Sequence, residues 1–220
     1  MEIVQLQKHI SFRRDKIKYI VIHDTGNSAK GAGAAAHTNY FQTTDRKASA
    51  DFLVEEDKIV QLNDYYKYFT WHCGDGKGKF GITNRNSIGI EMCINSDADS
   101  QKTINSTIKL TYELMEELNI PIERVVRHYD ASRKICPGSF YQENWLGWRK
   151  FKVALKEYVE MMKSEEKYIL LKLGQKKTVC ETVLKDGYNF IKLRDLIEFL
   201  GYEIGSYSGA EIVIKEQSKG

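Results

Sequence analysis

The stretch YIVIHDTG, residues 19–26, decides the fold: Tyr19 to Ile22 form a short β-branched, apolar run of the kind that builds a buried strand, and it closes on His23. RVVRHYD, residues 124–130, has the same shape and also ends on a histidine, His128. Eight residues on, Cys136 stands in RKICPGS, residues 133–139, in a loop stiffened by Pro137. Two such strands side by side would deliver both imidazoles to one edge of a sheet, with the Cys136 loop closing the third corner. Neutral imidazole and thiolate are donors that suit Zn²⁺, and three protein ligands leave a coordination position open, as catalysis requires. Taken singly, each of these residues serves equally in a structural role, so the neighbouring motifs carry the decision.

Working outward, the same patterning gives strands at Tyr19–His23, Asp51–Val54, Lys58–Leu62, Ser87–Ile94 and Arg124–Arg127. Helices fit between them. Gly33–Phe41 is Ala-rich, and Thr103–Leu118 places Ile104, Ile108, Leu114, Met115 and Leu118 near helical spacing before Pro121. Strands and helices interleave without strict alternation, which predicts an α/β fold with a central mixed β-sheet flanked by helices. Tyr141–Lys163 carries an apolar stripe of Trp148, Phe151, Leu155, Tyr158 and Met162, a long amphipathic helix. The charged stretch Lys163–Lys167 then reads as a boundary between residues 1–163, the larger domain, and residues 164–220, a small α+β domain. In that domain YILLKLGQKKTVCETVL (168–184) suggests a hairpin, FIKLRDLIEFLGY (190–202) holds a helix closed by Gly201, and a last strand falls around Ala210–Ile214.

Composition narrows the partners. The 220 residues carry a net charge of +3 with no long basic run, so nothing argues for nucleic acid, although a weakly basic surface suits an anionic polymer. No apolar window reaches the roughly 18 residues of a membrane span, so membrane insertion is not expected. The first residues lack the basic start, apolar core and cleavage site of a secretory signal, which predicts synthesis in a cytoplasm. The four cysteines have no pairing pattern and are expected as thiols, with Cys73 and Cys93 packing residues. GDGKGKFG (74–81) spells GxGxxG at Gly76, Gly78 and Gly81, but it neither follows a clear strand nor opens a helix, and reads as a loop at a groove rim.

Four motifs in order, VIHDTG (21–26), WHCGDG (71–76), NSIGIEM (86–92) and RHYDASRKICPG (127–138), resemble the type-2 zinc-dependent N-acetylmuramoyl-L-alanine amidases, a family of phage endolysins, autolysins and peptidoglycan recognition proteins. The resemblance runs from about Ile17 to Trp148. It implies the same mixed sheet, and a Zn²⁺ held by His23, His128 and Cys136. It also places a basic residue, Lys134, where a cation can stabilise an oxyanion, and Glu91 where a carboxylate can act as base and then acid. In NSIGIEM, Ile88, Ile90 and Met92 would share one face of the strand and Glu91 the other. Some members use a tyrosine in the region of ASADFLVEED; Ala50 stands there, which turns attention to Glu91. Trp71 and His72 would lie in the substrate groove. Asp24 could orient a ligand imidazole or serve a turn.

The activity so implied is hydrolysis of the amide between the lactyl group of N-acetylmuramic acid and L-alanine, with peptidoglycan as partner and no organic cofactor. A phage or prophage endolysin acting at the cell wall after release fits the missing signal; a host autolysin is the related alternative. A non-catalytic peptidoglycan-binding protein and a cytosolic muropeptide-recycling amidase are the other readings. Residues 164–220 would target the wall, or else stabilise or dimerise the chain.

Overall fold

The run at residues 19–24 becomes a strand next to the edge of a six-stranded sheet in the computed structural model, which describes residues 1–165, 168–185, 188–208 and 211–216. The chain forms two units, Met1–Tyr158 and Val159–Gly220. In the first, the order is β1 (Glu2–Ile3), β2 (Ile10–Phe12), β3 (Tyr19–Asp24), α1 (Ala34–Thr43), β4 (Phe52–Glu55), β5 (Lys58–Gln61), β6 (Tyr68–Thr70), β7 (Ser87–Met92), α2 (Ser100–Leu118), β8 (Val125–Arg127), α3 (His128–Ser132) and α4 (Gln142–Glu165), whose last turns fall in the second unit. The sheet runs β1-β5-β4-β7-β3-β8. Only the β4–β5 pair is antiparallel, so the sheet is mixed, as expected.

Register places the chemistry. His23 on β3 pairs with Glu91 on β7, and Ile22 pairs with Arg127 on β8, whose next residue is His128. Three parallel strands therefore end together, and the crevice beyond such carboxyl ends is where open α/β sheets place their sites. Ile20, Val21 and Ile22 are fully buried and fasten β3 into the core.

The flanking layers follow from the patterning, with one difference. α2 is capped by the Asp99 side chain, which accepts from the backbone N–H groups of Gln101 and Lys102. Its buried face is more polar than expected: Thr103, Thr107 and Thr111 join Ile108, Leu110, Leu114 and Met115, while Ile104 and Leu118 are only half-buried. Each threonine hydroxyl donates to the carbonyl four residues back, so these buried hydroxyls are satisfied. Asp51, fully buried, accepts from Asn63, Thr70 and the Gly89 N–H, tying β7 to the loops around β5 and β6. The two- and three-residue strands β1, β2 and β6 escape sequence patterning, being too short to show a period.

The second unit contains β9 (Tyr168–Leu173), β10 (Lys176–Lys185), β11 (Tyr188–Ile191), α5 (Leu193–Leu200), β12 (Tyr202–Ser208) and β13 (Glu211–Glu216). β9 and β10 form the expected hairpin, and β11 adds to its other edge. α5 ends on Gly201 in the left-handed region. β12 and β13 make a second hairpin, of which the sequence reading had only the last strand. Ala210, and Glu166 and Lys167 of the charged boundary, lie outside the described residues. Among the described residues no helix is long and apolar enough to cross a membrane.

Candidate metal centre

β3 carries His23 to the sheet edge, and β8 hands over to α3 at His128. Between α3 and the turn at Gly138–Phe140 the chain brings Cys136 back to them: the Tyr129 N–H donates to the Cys136 carbonyl at 3.1 Å. The peptide bond between Cys136 and Pro137 is cis. Asp24, directly after His23, accepts from the Ser139 N–H at 2.7 Å. Of the two roles open to Asp24, the structure thus shows the turn.

His23, His128 and Cys136 are all buried, and one donor atom from each lies within 4.8 Å of the others. Cys136 Sγ is 3.6 Å from His23 Nδ1, and the two imidazole centroids are 4.7 Å apart. Among the described residues this is the one group of three such side chains that could hold a metal ion. His128 is where a bound cation would be felt. Its Nε2 is 2.7 Å from Asp75 Oδ1, while its Nδ1 is buried with no hydrogen-bond partner. A buried ring nitrogen left unpaired in this way is costly unless a ligand takes it.

The electrostatics agree with a cation-binding pocket. Burial lowers the His23 imidazole well below its ordinary value, with His128 and His72 adding to the shift, and burial lowers His128 against the opposing pull of Asp75. Both shifts favour the neutral imidazole, the form that can ligate a metal. Burial, then Glu91, pushes the Cys136 thiol up, a cost that a coordinated cation would relieve. Burial works to raise the Asp75 carboxyl, but the hydrogen bond to His128, with Ser132 and Lys134, leaves it below its ordinary value.

Glu91 stands beside His23 on the neighbouring strand, half-buried, with Oε2 closed off and unpartnered. Burial raises its carboxyl to about 8, Asp24 contributing in the same direction and Lys134 opposing. Lys134 is exposed, and its charge bears on His23, His128, Asp75, Glu91 and Cys136. It lines a cavity of about 300 Å³ together with Trp71, His72, Asp75 and His128. Trp71 is 37% exposed there and donates its indole N–H to Ser11. Ala50 is fully buried in a cluster with Leu53 and Leu62, so that position offers no titratable group.

His72 also borders the cavity, but both of its ring nitrogens are engaged by the protein: Nδ1 is 3.0 Å from His23 Nε2, and Nε2 is 3.0 Å from Ser87 Oγ. Burial lowers its imidazole to about 3. Cys73 and Cys93 are buried in apolar clusters, each thiol raised by burial to about 12, in keeping with packing. Asp75 and Ser87 were missed in the sequence. Asp75 had one available signal, an acid flanked by glycines beside the WHC motif, and Ser87 had none.

Comparison with known proteins bears on this geometry. A family model described as N-acetylmuramoyl-L-alanine amidase matches residues 13–139. The chain is 41% identical over 119 residues to the N-acetylmuramoyl-L-alanine amidase CwlH of Bacillus subtilis (strain 168), covering 54% of this chain and 46% of that protein. It is 39% identical over 140 residues to XlyA of the same organism, an N-acetylmuramoyl-L-alanine amidase, covering 62% of this chain and 43% of that protein. The chain thus spans about half the length of the curated relatives it matches. The structure of the catalytic domain of XlyA superposes with a TM-score of 0.60 at 36% identity, over 70% of this chain and 99% of that one.

Proposed function

Because the chain belongs to the N-acetylmuramoyl-L-alanine amidase family, we propose that it hydrolyses peptidoglycan at the amide between the lactyl group of N-acetylmuramic acid and L-alanine, as a phage or prophage endolysin. The observation that carries this is the buried His23, His128 and Cys136 group with an orphaned His128 Nδ1, set at the sheet edge beside Glu91. The metal we assign to it is Zn²⁺, since two imidazoles and a thiolate form the donor set of an open zinc site. Held there, Zn²⁺ would polarise the scissile carbonyl and lower the pKa of a water at its open position.

Glu91 supplies the proton traffic. Deprotonated, its carboxylate takes a proton from the attacking water; protonated, it returns that proton to the departing L-alanine amine. Its carboxyl is raised to about 8 with Lys134 already opposing the shift, and a Zn²⁺ held beside it would lower it further, toward neutral pH where both states are accessible. Lys134 holds its ammonium over the same cavity as His128 and Asp75, where it faces negative charge developing on the carbonyl oxygen. Trp71 offers an aromatic face to the sugar at the rim. Residues 164–220 we assign to wall binding, and peptidoglycan is the partner at which the protein acts.

Digestion of purified walls tests the bond cleaved. New alanine amino termini should appear with time, and chelation should stop them. New reducing sugar ends without new amino termini would replace the amidase reading by a glycosidase.

A further inference from the structure

The hydrogens around His72 can be counted. Ser87 has one hydroxyl hydrogen, and it goes to the Thr83 carbonyl oxygen, 2.5 Å away. At His72 Nε2, 3.0 Å from the same hydroxyl, Ser87 must therefore accept, and the Cys73 thiol, 3.7 Å from Ser87 Oγ and 4.0 Å from His72 Nε2, has its nearer acceptor in that hydroxyl, so His72 carries its proton on Nε2. A neutral imidazole has one N–H, which leaves a lone pair on His72 Nδ1. That lone pair is 3.0 Å from His23 Nε2, so His23 donates there and keeps its own lone pair on Nδ1, the nitrogen nearest Cys136 Sγ. From this chain of donors we infer that His72 and Ser87 are positioning residues that set the tautomer and ring orientation of His23, aiming its Nδ1 at the metal position.

The surroundings are built around this contact. The backbone N–H groups of His72 and Cys73 both donate to Asn84 Oδ1, fixing the segment from which the ring projects. The ring lies against Gly89 on β7, where a Cβ would come within 2.6 Å of His72 Cγ, so only glycine admits it. His128 leans on a carboxylate, whereas His23 leans on a neutral imidazole. Losing His72 therefore removes orientation without removing charge. Outer partners of this kind are commonly worth about 10–100-fold in metal affinity.

The effect on the metal rests on the reading of His23 as a ligand; the tautomers do not. Long-range ¹H–¹⁵N spectra of the metal-free protein should show both His23 and His72 protonated on Nε2. Zinc affinity by chelator competition then separates two variants. His72→Asn places its amide oxygen near the position of Nδ1 and keeps an acceptor for His23, so it should retain most of the affinity. His72→Gln reaches instead toward Ser87 and should lose about 10–100-fold. A His23 protonated on Nδ1 in the wild-type protein, or equal affinities for the two variants, would overturn the inference. A wild-type chain with the expected tautomers but no zinc affinity would overturn the metal reading and leave the hydrogen-bond chain standing.

Discussion

Glu91 and Asp75 are both acids beside a buried histidine, yet their surroundings push them in opposite directions. Asp75 receives a hydrogen bond and is held low; Glu91 has an oxygen with no partner and is raised from 4.5 to about 8. For Glu91 the folded value lies above the ordinary one, so the folded chain holds a proton through a pH range in which the unfolded chain has lost it. That contribution to stability is full below about pH 4.5 and is lost as the pH climbs through about 8. In chelator-treated protein, Glu91→Gln should thus melt above wild type at about pH 9, with the gap closing toward about pH 4. With metal restored, the same variant should lose about 10²–10⁴-fold in turnover. Unchanged turnover would remove Glu91 from the reaction. The grouping of His23, His128 and Cys136 was legible in the sequence because donor chemistry coincides there with two strand ends and a proline-stiffened loop. Their supports were not, since His72 and Asp75 reach partners 49 and 53 residues away, which only the fold brings together.

At the scale of elements, the glycine-rich stretch GDGKGKFG is a place where the sequence reading needed the structure. It is a loop as expected, without any phosphate-binding strand and helix, but Gly76 has a mechanical use. A Cβ there would sit 2.0 Å from the Ala131 carbonyl oxygen, so the turn at Gly74–Gly76 can lie against α3 only because the side chain is missing. That contact is what presents Asp75 to His128 at the start of α3. Gly76→Ala should push the turn away and lower zinc affinity by about 10-fold or more, an effect of the order seen when a partner of a ligand histidine is lost. Affinity equal to wild type by chelator competition would mean that Asp75 does not support His128. α2 teaches a related lesson. Hydrophobic spacing located the helix, but three back-bonded threonines fill much of its buried face, and polar residues satisfied by their own helix leave no apolar pattern to read.

For the whole molecule, the order of the longer elements of the first unit and the mixed sheet could be read from runs of apolar residues, while the sheet order could not, because strand neighbours β7, β3 and β8 are joined by register rather than by sequence proximity. The two units meet within α4, at Tyr158–Val159. If residues 164–220 bind the wall, a chain ending at Lys163 should keep its activity on soluble muropeptides and lose roughly 10²-fold or more of its retention on intact walls, as when one of two linked binding modules is removed. Undiminished retention would assign the segment another role. X-ray absorption on the zinc-loaded protein tests most directly whether His23, His128 and Cys136 share one zinc ion. One zinc per chain is expected, with two nitrogens at about 2.0–2.1 Å and one sulfur at about 2.3 Å, the sulfur vanishing in Cys136→Ser. A first shell of nitrogen and oxygen alone in the wild-type protein would contradict it.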